Sequence, residues 1–423
     1  MVVIVIGAGP VGCATALALN KLGYKVEINE ARKDPRIDPE DNLRSINLAI
    51  SARGINTLRL ISPEMSDRIS SHFVPMRARM VHDPQGATSS VPYGLYGEAI
   101  HSVSRATLNE LFLNEVDSAG IKINFNTPFE KLDLDYSPYK FIVGCDGTFS
   151  KVRQGMIRAG EFNYSQEYIE HYYLEIPIPA LNGDFAFPPN FLHIWPRKQF
   201  MFIGLANQDK SITGTMFAPK SLFASLDTPD KFLEFFKTQF PDAFAVIGEE
   251  AIRASYNHPR GKLMQTKVYP YNYKDKVIIL GDAAHSMVPF YGQGLNCGLE
   301  DVSVLLECFS KTSNCLDAFE MYSKTRKADL DAIMRLSMDN YLEMRSSVTS
   351  IGFRVRKWLD GLLGRNLGEW WLPLYTMISF RSDIPYSRAV GESARQAHAL
   401  TTGIFVTSVG IFAGALLGYR YCR

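Results

Sequence analysis

No residue class dominates this 423-residue chain, and what is scarce in it removes several kinds of protein at once. Net charge is nearly absent, at +1, which leaves nucleic acid without an electrostatic case as the main partner. The six cysteines (Cys13, Cys145, Cys297, Cys308, Cys315 and Cys422) are scattered and show no zinc-ligand spacing. Cys13, Cys145 and Cys297 lie in apolar or glycine-bearing segments, where a thiol serves as small filler. Reduced thiols and a cytosolic setting are therefore expected. No repeat or low-complexity tract occurs. The chain begins directly on an apolar strand, so no signal or transit peptide is expected. What remains is a globular composition, 46% apolar, in a length that suits two domains sharing an interface.

One stretch lacks charge altogether. Between Arg395 and Arg420 there is no Lys, Arg, Asp or Glu. A helix over residues 400–419 would cross roughly 30 Å of hydrocarbon, with Tyr419, Arg420, Tyr421 and Arg423 as an interfacial anchor. A buried C-terminal helix is the other reading. Gly410, Gly414 and Gly418 share one helical face, a pattern compatible with pairing into a homodimer. The modest hydrophobicity of the stretch suits a tail anchor in the mitochondrial outer membrane, with the rest of the chain facing the cytosol.

Against these absences stands a dense glycine signal. The strand Val2-Val3-Ile4-Val5-Ile6 runs into Gly7-Ala8-Gly9-Pro10-Val11-Gly12 and then into a helix-forming stretch. Gly7 permits a tight turn, Gly9 lets backbone approach a pyrophosphate, and Gly12 lets helix pack on strand. A second strand, Lys25 to Asn29, ends at Glu30, where a carboxylate accepts hydrogen bonds from an adenosine ribose. That charge repels the extra phosphate of NADP, so the site reads as one for FAD or NAD. No second such fingerprint exists for another nucleotide.

Two further strand-and-turn motifs follow: Phe141 to Gly144 into Cys145-Asp146-Gly147, continuing to Ser150 and Arg153, and Val277 to Leu280 into Gly281-Asp282-Ala283-Ala284-His285. Gly292 and Gly294 then open a helix whose N-terminal dipole suits an anionic flavin edge. The three fingerprints, in this order, resemble the para-hydroxybenzoate-hydroxylase-type flavin monooxygenases and narrow the dinucleotide to FAD. His285 belongs to the recurrent turn and is expected to be a structural hydrogen-bonding residue.

Within that family the chain is most similar to the kynurenine-hydroxylating branch. The likeness rests on Arg44 to Gly54, Met76 to Asp83, Tyr93 to Glu98, Leu192 to Arg197, Pro289 to Gly298 and Pro373 to Met377. It implies a FAD-dependent hydroxylase of L-kynurenine that uses NADPH, as a transiently docked co-substrate, and O2 through a flavin C4a-hydroperoxide. It further implies that Arg79 and Tyr93 hold the substrate carboxylate, with Asn340 and Tyr375 completing the clamp. Pro289, Phe290 and Gln293 would line the oxygen-reacting side of the flavin, with no side-chain acid or base required. Gly7, Gly9, Val11, Gly12, Glu30, Ala31, Arg32, Ala49, Arg105, Leu132, Asp146, Asp282, Gly294, Leu295 and Asn296 match FAD-binding positions. No metal ligand is implied.

The chain departs from the family pattern between Glu130 and Tyr139, where a β-hairpin is missing, and at Leu295, where methionine is usual. The expected architecture is α/β: a discontinuous Rossmann-like FAD-binding domain (residues 1–66, 98–162 and 266–309) with an inserted β-sheet substrate domain (67–97 and 163–265). The inserted sheet is read over Tyr172 to Tyr256. C-terminal helices follow over 310–395, with one long helix from Asp317 to Arg345. The Trp-rich segment from Phe353 to Trp371 reads equally as an interfacial helix or as a core helix with a basic outer face. Two rivals keep the cofactor: a hydroxylase or epoxidase of a lipid or quinone, and a non-catalytic FAD-bound membrane adaptor.

Overall fold

Apolar runs that end in glycine build the first sheet of the computed structural model, which describes residues 1–38, 47–132, 138–346 and 351–402. Strands are numbered along the chain: β1 (Val3–Ile6), β2 (Val26–Asn29), β8 (Lys122–Asn124), β9 (Ile142–Gly144), β15 (Asn272–Tyr273) and β16 (Val277–Ile279) form this sheet. Their order is β15-β16-β9-β1-β2-β8, with every pair parallel except β15 with β16. β1 is buried at all its positions, as expected of a parallel strand covered on both faces. Helices α1 (Pro10–Lys21) and α4 (Arg105–Ser118) pack together beside this sheet. A small sheet of β3 (Leu48–Ile50), β7 (Ile100–Val103) and β4 (Val74–Met76) lies next in the chain. Helices α2 (Ala52–Ile61) and α3 (Pro63–Ser70) sit between its strands in sequence.

The larger sheet has the order β14-β10-β13-β12-β11-β5-β6. It comprises β5 (Ala78–His82), β6 (Thr88–Pro92), β10 (Asn163–Ile178), β11 (Phe191–Arg197), β12 (Phe200–Ala206), β13 (Ile212–Pro219) and β14 (Gly261–Tyr269). Strand periodicity sends alternate residues to opposite faces. Leu192, Ile194, Met201 and Phe217 turn toward Phe290 and Tyr341. Trp195, Phe202, Met216 and Leu174 turn toward a layer of helices. That layer is α6 (Lys220–Ser225), α7 (Pro229–Gln239), α8 (Pro241–Ile247) and α9 (Glu249–Ser255).

This corrects the expected sheet: it begins at Asn163 rather than Tyr172, and residues 220–255 are helical. Thr228 caps α7 by accepting from the Lys231 amide at 3.2 Å, Pro229 occupies the first helical position, and Phe232, Phe236 and Phe240 recur at helical spacing and are buried. β14 also runs across the expected boundary at 265/266, and β4 from the 67–97 piece pairs with β7 from the 98–162 piece.

The C-terminal part is helical. After α5 (Lys151–Ala159) and the one-turn α10 (Asp282–His285) come α11 (Gly294–Lys311), α12 (Cys315–Ser346), α13 (Ile351–Leu367), α14 (Leu374–Phe380) and a helix over 386–402. α12 is the long helix read from the sequence, and its stripe of Phe319, Tyr322, Leu330, Ile333, Met334 and Tyr341 is buried. On α13, Val355, Trp358 and Leu362 point outward, and Trp370 just beyond it is 90% exposed, while Trp371 is buried. This outer face is itself apolar, which differs from the core reading with its basic outer face.

Among the described residues no helix is long and apolar enough to cross a membrane. The charge-free stretch beyond residue 402, with Gly410, Gly414 and Gly418, lies outside them. So do Arg44, Ser45 and Ile46, and residues 133–137 of the shortened segment. Among the described residues no strand occurs between β8 and β9.

Candidate active site

Ligands of open parallel sheets bind beyond the carboxyl ends of the strands, and the adjacent β16, β9, β1 and β2 bring Gly281, Gly144, Gly7 and Glu30 to that edge. Gly7 adopts φ +102°, and a Cβ on it would lie 2.5 Å from the Cys145 carbonyl oxygen. A Cβ on Gly12 would lie 2.0 Å from the Gly7 oxygen, whereas one on Gly9 would meet nothing within 4 Å. Gly7 and Gly12 are therefore required by packing, and Gly9 faces open space. Gly9 caps α1 without a side chain, leaving the first-turn amides for an anion.

Glu30 closes this end. Its buried carboxylate accepts from the Ala8 amide at 2.7 Å and from the Arg32 amide and Nε at 3.0 Å. Burial pushes its carboxyl up, but Arg32 and the Ala8 amide outweigh that and hold it below the usual carboxylate range. Ala31 is exposed beside it.

Val11 joins the two distant halves. Cβ atoms on Gly281 and Gly298 would come within 3.2 and 2.7 Å of its methyl groups. Asp282 starts α10, and Gly294, Leu295 and Asn296 form the first turn of α11. The first i→i−4 bond of that helix runs from Cys297 to Gln293, so those three amides precede it and point outward with the positive end of the dipole.

The Asn296 side chain is fully engaged: it accepts from the Ser51 amide and donates to the Ala49 and Gly292 carbonyls, each at 2.8 Å. Only its backbone is left for a ligand. Gln293 is likewise turned away, accepting from Tyr386 at 3.0 Å and reaching Ser379 at 3.5 Å. Asp146 uses one oxygen on the Lys151 and Val152 amides of α5, while its buried Oδ1 has no partner. Leu132 packs against α5 at Gly155, and Arg105 is exposed at the start of α4.

The second pole lies where the large sheet meets α12 and α14. Arg79 on β5 is 5% exposed, its guanidinium carbon 5.6 Å from the Tyr93 ring and 5.3 Å from the Tyr375 ring. Tyr93 stacks on Tyr375 at 5.0 Å, and Tyr375 on Tyr291 at 5.5 Å. Asn340 donates to the Phe290 carbonyl at 2.6 Å, and Phe290, next to Pro289, stacks on Tyr341 at 4.0 Å. Arg79, Tyr93, Asn340 and Tyr375 thus converge. The Arg79 Nε and the Tyr93 hydroxyl are buried without hydrogen-bond partners.

Burial works against the charge of Arg79, yet Tyr93, Tyr375 and Glu343 raise it, so the group stays cationic. Burial and Tyr375 push the Tyr93 phenol up. Glu343, one turn beyond Asn340, lies 3.5 Å from Arg79, and burial together with Arg79 holds Lys357 down at about 8. Sequence reasoning missed both; Glu343 was legible as the next residue on the Asn340 face of α12.

Comparison with known proteins gives the family. The chain is 47% identical to "Kynurenine 3-monooxygenase" of Candida albicans over 93% of its own length and 91% of that protein. It is 41% identical to the Saccharomyces cerevisiae protein of that name over 99% and 97%. This chain belongs to the kynurenine 3-monooxygenase family. A family model described as an FAD binding domain matches residues 138–336 of this family member.

Solved structures of similar fold include 2-methyl-3-hydroxypyridine-5-carboxylic acid oxygenase, with TM-score 0.68 and 18% identity over 82% of this chain and 93% of that one. Pseudomonas aeruginosa PqsL in complex with 2-aminobenzoylacetate has TM-score 0.64 and 19% identity over 82% and 97%. At such identities the likeness is one of fold.

The residues present suit FAD. The open Gly9, the unpartnered Asp146 Oδ1 and Ser51 Oγ, and two helix N-termini supply donors and acceptors along one sheet edge. Beneath it His285, expected as a structural hydrogen-bonding residue, donates from Nε2 to the Asp301 carboxylate at 2.5 Å. Asp301 also takes the Gly281 amide and the Arg326 guanidinium at 2.9 Å.

Proposed function

We propose that this protein is an FAD-dependent monooxygenase that hydroxylates L-kynurenine to 3-hydroxykynurenine with NADPH and O2. The single observation that carries the substrate is the Arg79 pole: a buried cation beside two stacked tyrosines, with an unpartnered N–H and phenol. A guanidinium and a phenol in that relation offer parallel hydrogen bonds to a carboxylate. A quinone or an uncharged lipid has no anion to offer such a buried cation.

FAD bound along the sheet edge supplies the redox chemistry and the activated oxygen. The chain's own share is positioning. Arg79 and Tyr93 hold the amino-acid end, Asn340 fixes the Phe290 carbonyl and with it the 289–291 turn, and Phe290, Tyr341 and Phe217 exclude water. The aniline nitrogen of kynurenine already enriches the ring ortho to it, so no side-chain base is assigned. Asp282, Glu30 and the amides of α1 and α11 would hold the cofactor. NADPH would dock transiently, because the chain has one dinucleotide fingerprint only.

We further propose attachment to the mitochondrial outer membrane through residues 400–419, with the enzyme facing the cytosol. The charge-free sequence and the outward Trp358 and Trp370 support this. The decisive experiment for the activity is product analysis of the purified, FAD-loaded chain with NADPH, oxygen and kynurenine. A mass gain of one oxygen in a kynurenine-dependent product is expected; NADPH oxidation without it would overturn the reading.

A further inference from the structure

On the far face of the large sheet, behind Arg79, a row of four groups is linked end to end. The Asp242 carboxylate lies 2.6 Å from His82 Nδ1. His82 Nε2 lies 2.9 Å from His193 Nδ1, and His193 Nε2 lies 2.9 Å from the Pro188 carbonyl oxygen. Burial pushes the Asp242 carboxyl up, but hydrogen bonds from His82 and Trp195 hold it below its ordinary value, so both ends of this row are acceptors only. Each terminal ring nitrogen must therefore carry a proton, and the central N···N contact must hold one more. That makes three protons on four nitrogens, one more than two neutral imidazoles supply.

We propose that His82 and His193 share one positive charge at neutral pH, and that this charged clip is a positioning device for Arg79. His82 is the cation, paired with Asp242, and His193 is neutral with its proton on Nε2. Both rings are 2% exposed, so the charge is held by the row and not by solvent. His193 is pushed down to about 4, chiefly by burial, as suits the neutral partner.

Other groups face the row from each packed element. Trp195 on β11 donates to Asp242 at 2.9 Å. Arg197 donates to the His82 and Asp83 carbonyls, both at 3.1 Å, placing a second cation nearby, and the Phe187 ring packs edge-on to His82. Among the described residues Asp242 is accordingly the one carboxylate in direct contact with the row.

The consequence runs along β5. His82 ends that strand and Arg79 precedes it by one turn of the pleat, on the opposite face; β5 pairs with β11 through Arg79 opposite Leu192 and Met80 opposite His193. Loss of the shared proton would set the His82 Nε2 lone pair against that of His193 Nδ1 and release the end of β5. Since the native contacts require the charged form, the clip holds at acidic and neutral pH and weakens as pH rises.

The charge can be read without reference to activity, which matters because the role assigned to Arg79 rests on the proposed function. Nitrogen NMR of the full, FAD-loaded chain with labelled histidine should show a doubly protonated ring at about pH 8, well above the ordinary histidine value of about 6.5. Asp242→Asn should abolish that signal. His285 also meets a carboxylate, that of Asp301, so it is the loss of signal in Asp242→Asn that assigns the charge to the clip. Eight neutral histidines at that pH in the wild-type chain would overturn the clip.

The positioning role has its own readout. In Asp242→Asn the KM for kynurenine should rise by about tenfold between pH 6.5 and 8 while kcat stays level. A KM profile identical to that of the wild type would remove Arg79 from the argument. A chain that never hydroxylates kynurenine would sink the functional reading and leave the NMR result to decide the clip.

Discussion

Arg79 shows how much one side chain can be asked to do. Its charge is buried beside two stacked rings and faces a partly exposed Glu343, while its Nε has no partner, so the pocket holds unspent donor capacity. Arg79→Ala should weaken kynurenine binding by roughly 2–4 kcal/mol, about 30- to 1,000-fold, because the substrate carboxylate would be buried unpaired. Equilibrium titration of flavin absorbance with kynurenine measures it, and unchanged affinity would exclude Arg79 from the clamp. At the other pole, Glu30 holds the Ala8 amide and Arg32 together. Glu30→Arg should therefore leave the purified chain depleted in FAD, read as a fall in visible absorbance relative to protein; full occupancy would refute the ribose assignment.

Single residues also mark the limit of sequence reading. Gly7, Gly9 and Gly12 were legible because a positive φ and a close approach are local demands. The Asn296 and Gln293 side chains were not, because what they bond to lies on other elements: Ser51 and Ala49 for one, Tyr386 and Ser379 for the other. Arg79, Tyr93, Asn340 and Tyr375 came from resemblance alone, since nothing in the spacing of the chain announces that four elements will meet.

At the level of elements, α11 and α12 are locked by buried ions. Arg326 on α12 reaches Asp301 at 2.8 Å and Glu300 at 2.7 Å, and Arg53 on α2 pairs with the same Glu300 while donating to the Ile378 carbonyl at 2.7 Å. Removing one member strands the others. Arg326→Leu should destabilise the fold by about 3–5 kcal/mol, measurable by chemical denaturation; a loss below about 1 kcal/mol would mean that the network is solvated.

The sign of its pH dependence follows. Burial pushes the Asp301 carboxyl up, but His285 and Arg326 prevail and hold it below its ordinary value. Its contribution is therefore complete above about pH 4 and lost as pH falls through the lowered value. Thermal melts should be level from neutral pH to about 5 and drop below about 4. The long stripe of α12 was legible because helical periodicity survives over many turns. The helices at 220–255 were not, because short phenylalanine-rich runs suit strand and helix alike until a cap such as Thr228 decides.

For the whole molecule, the question is what faces the outward side of α13. Of the four tryptophans, Trp195 and Trp371 are buried, while Trp358 is 65% and Trp370 90% exposed. Val355 and Leu362 extend the same surface, with Arg365 beside them. Exposed aromatic and aliphatic groups next to a cation suit the boundary between headgroups and acyl chains. If residues 400–419 anchor the chain, this face should rest on the lipid, and the distribution of tryptophans makes the contact readable. Full-length protein bound to vesicles of phosphatidylcholine and an anionic lipid should lose emission when the acyl chains are brominated, since only Trp358 and Trp370 can meet the quencher. Replacing both by phenylalanine should remove the quenching and leave kynurenine turnover intact. Equal emission with plain and brominated vesicles would mean that the tail holds the enzyme clear of the surface. Quenching that persists in the double variant would place the lipid against a part of the fold where the structure has only buried rings.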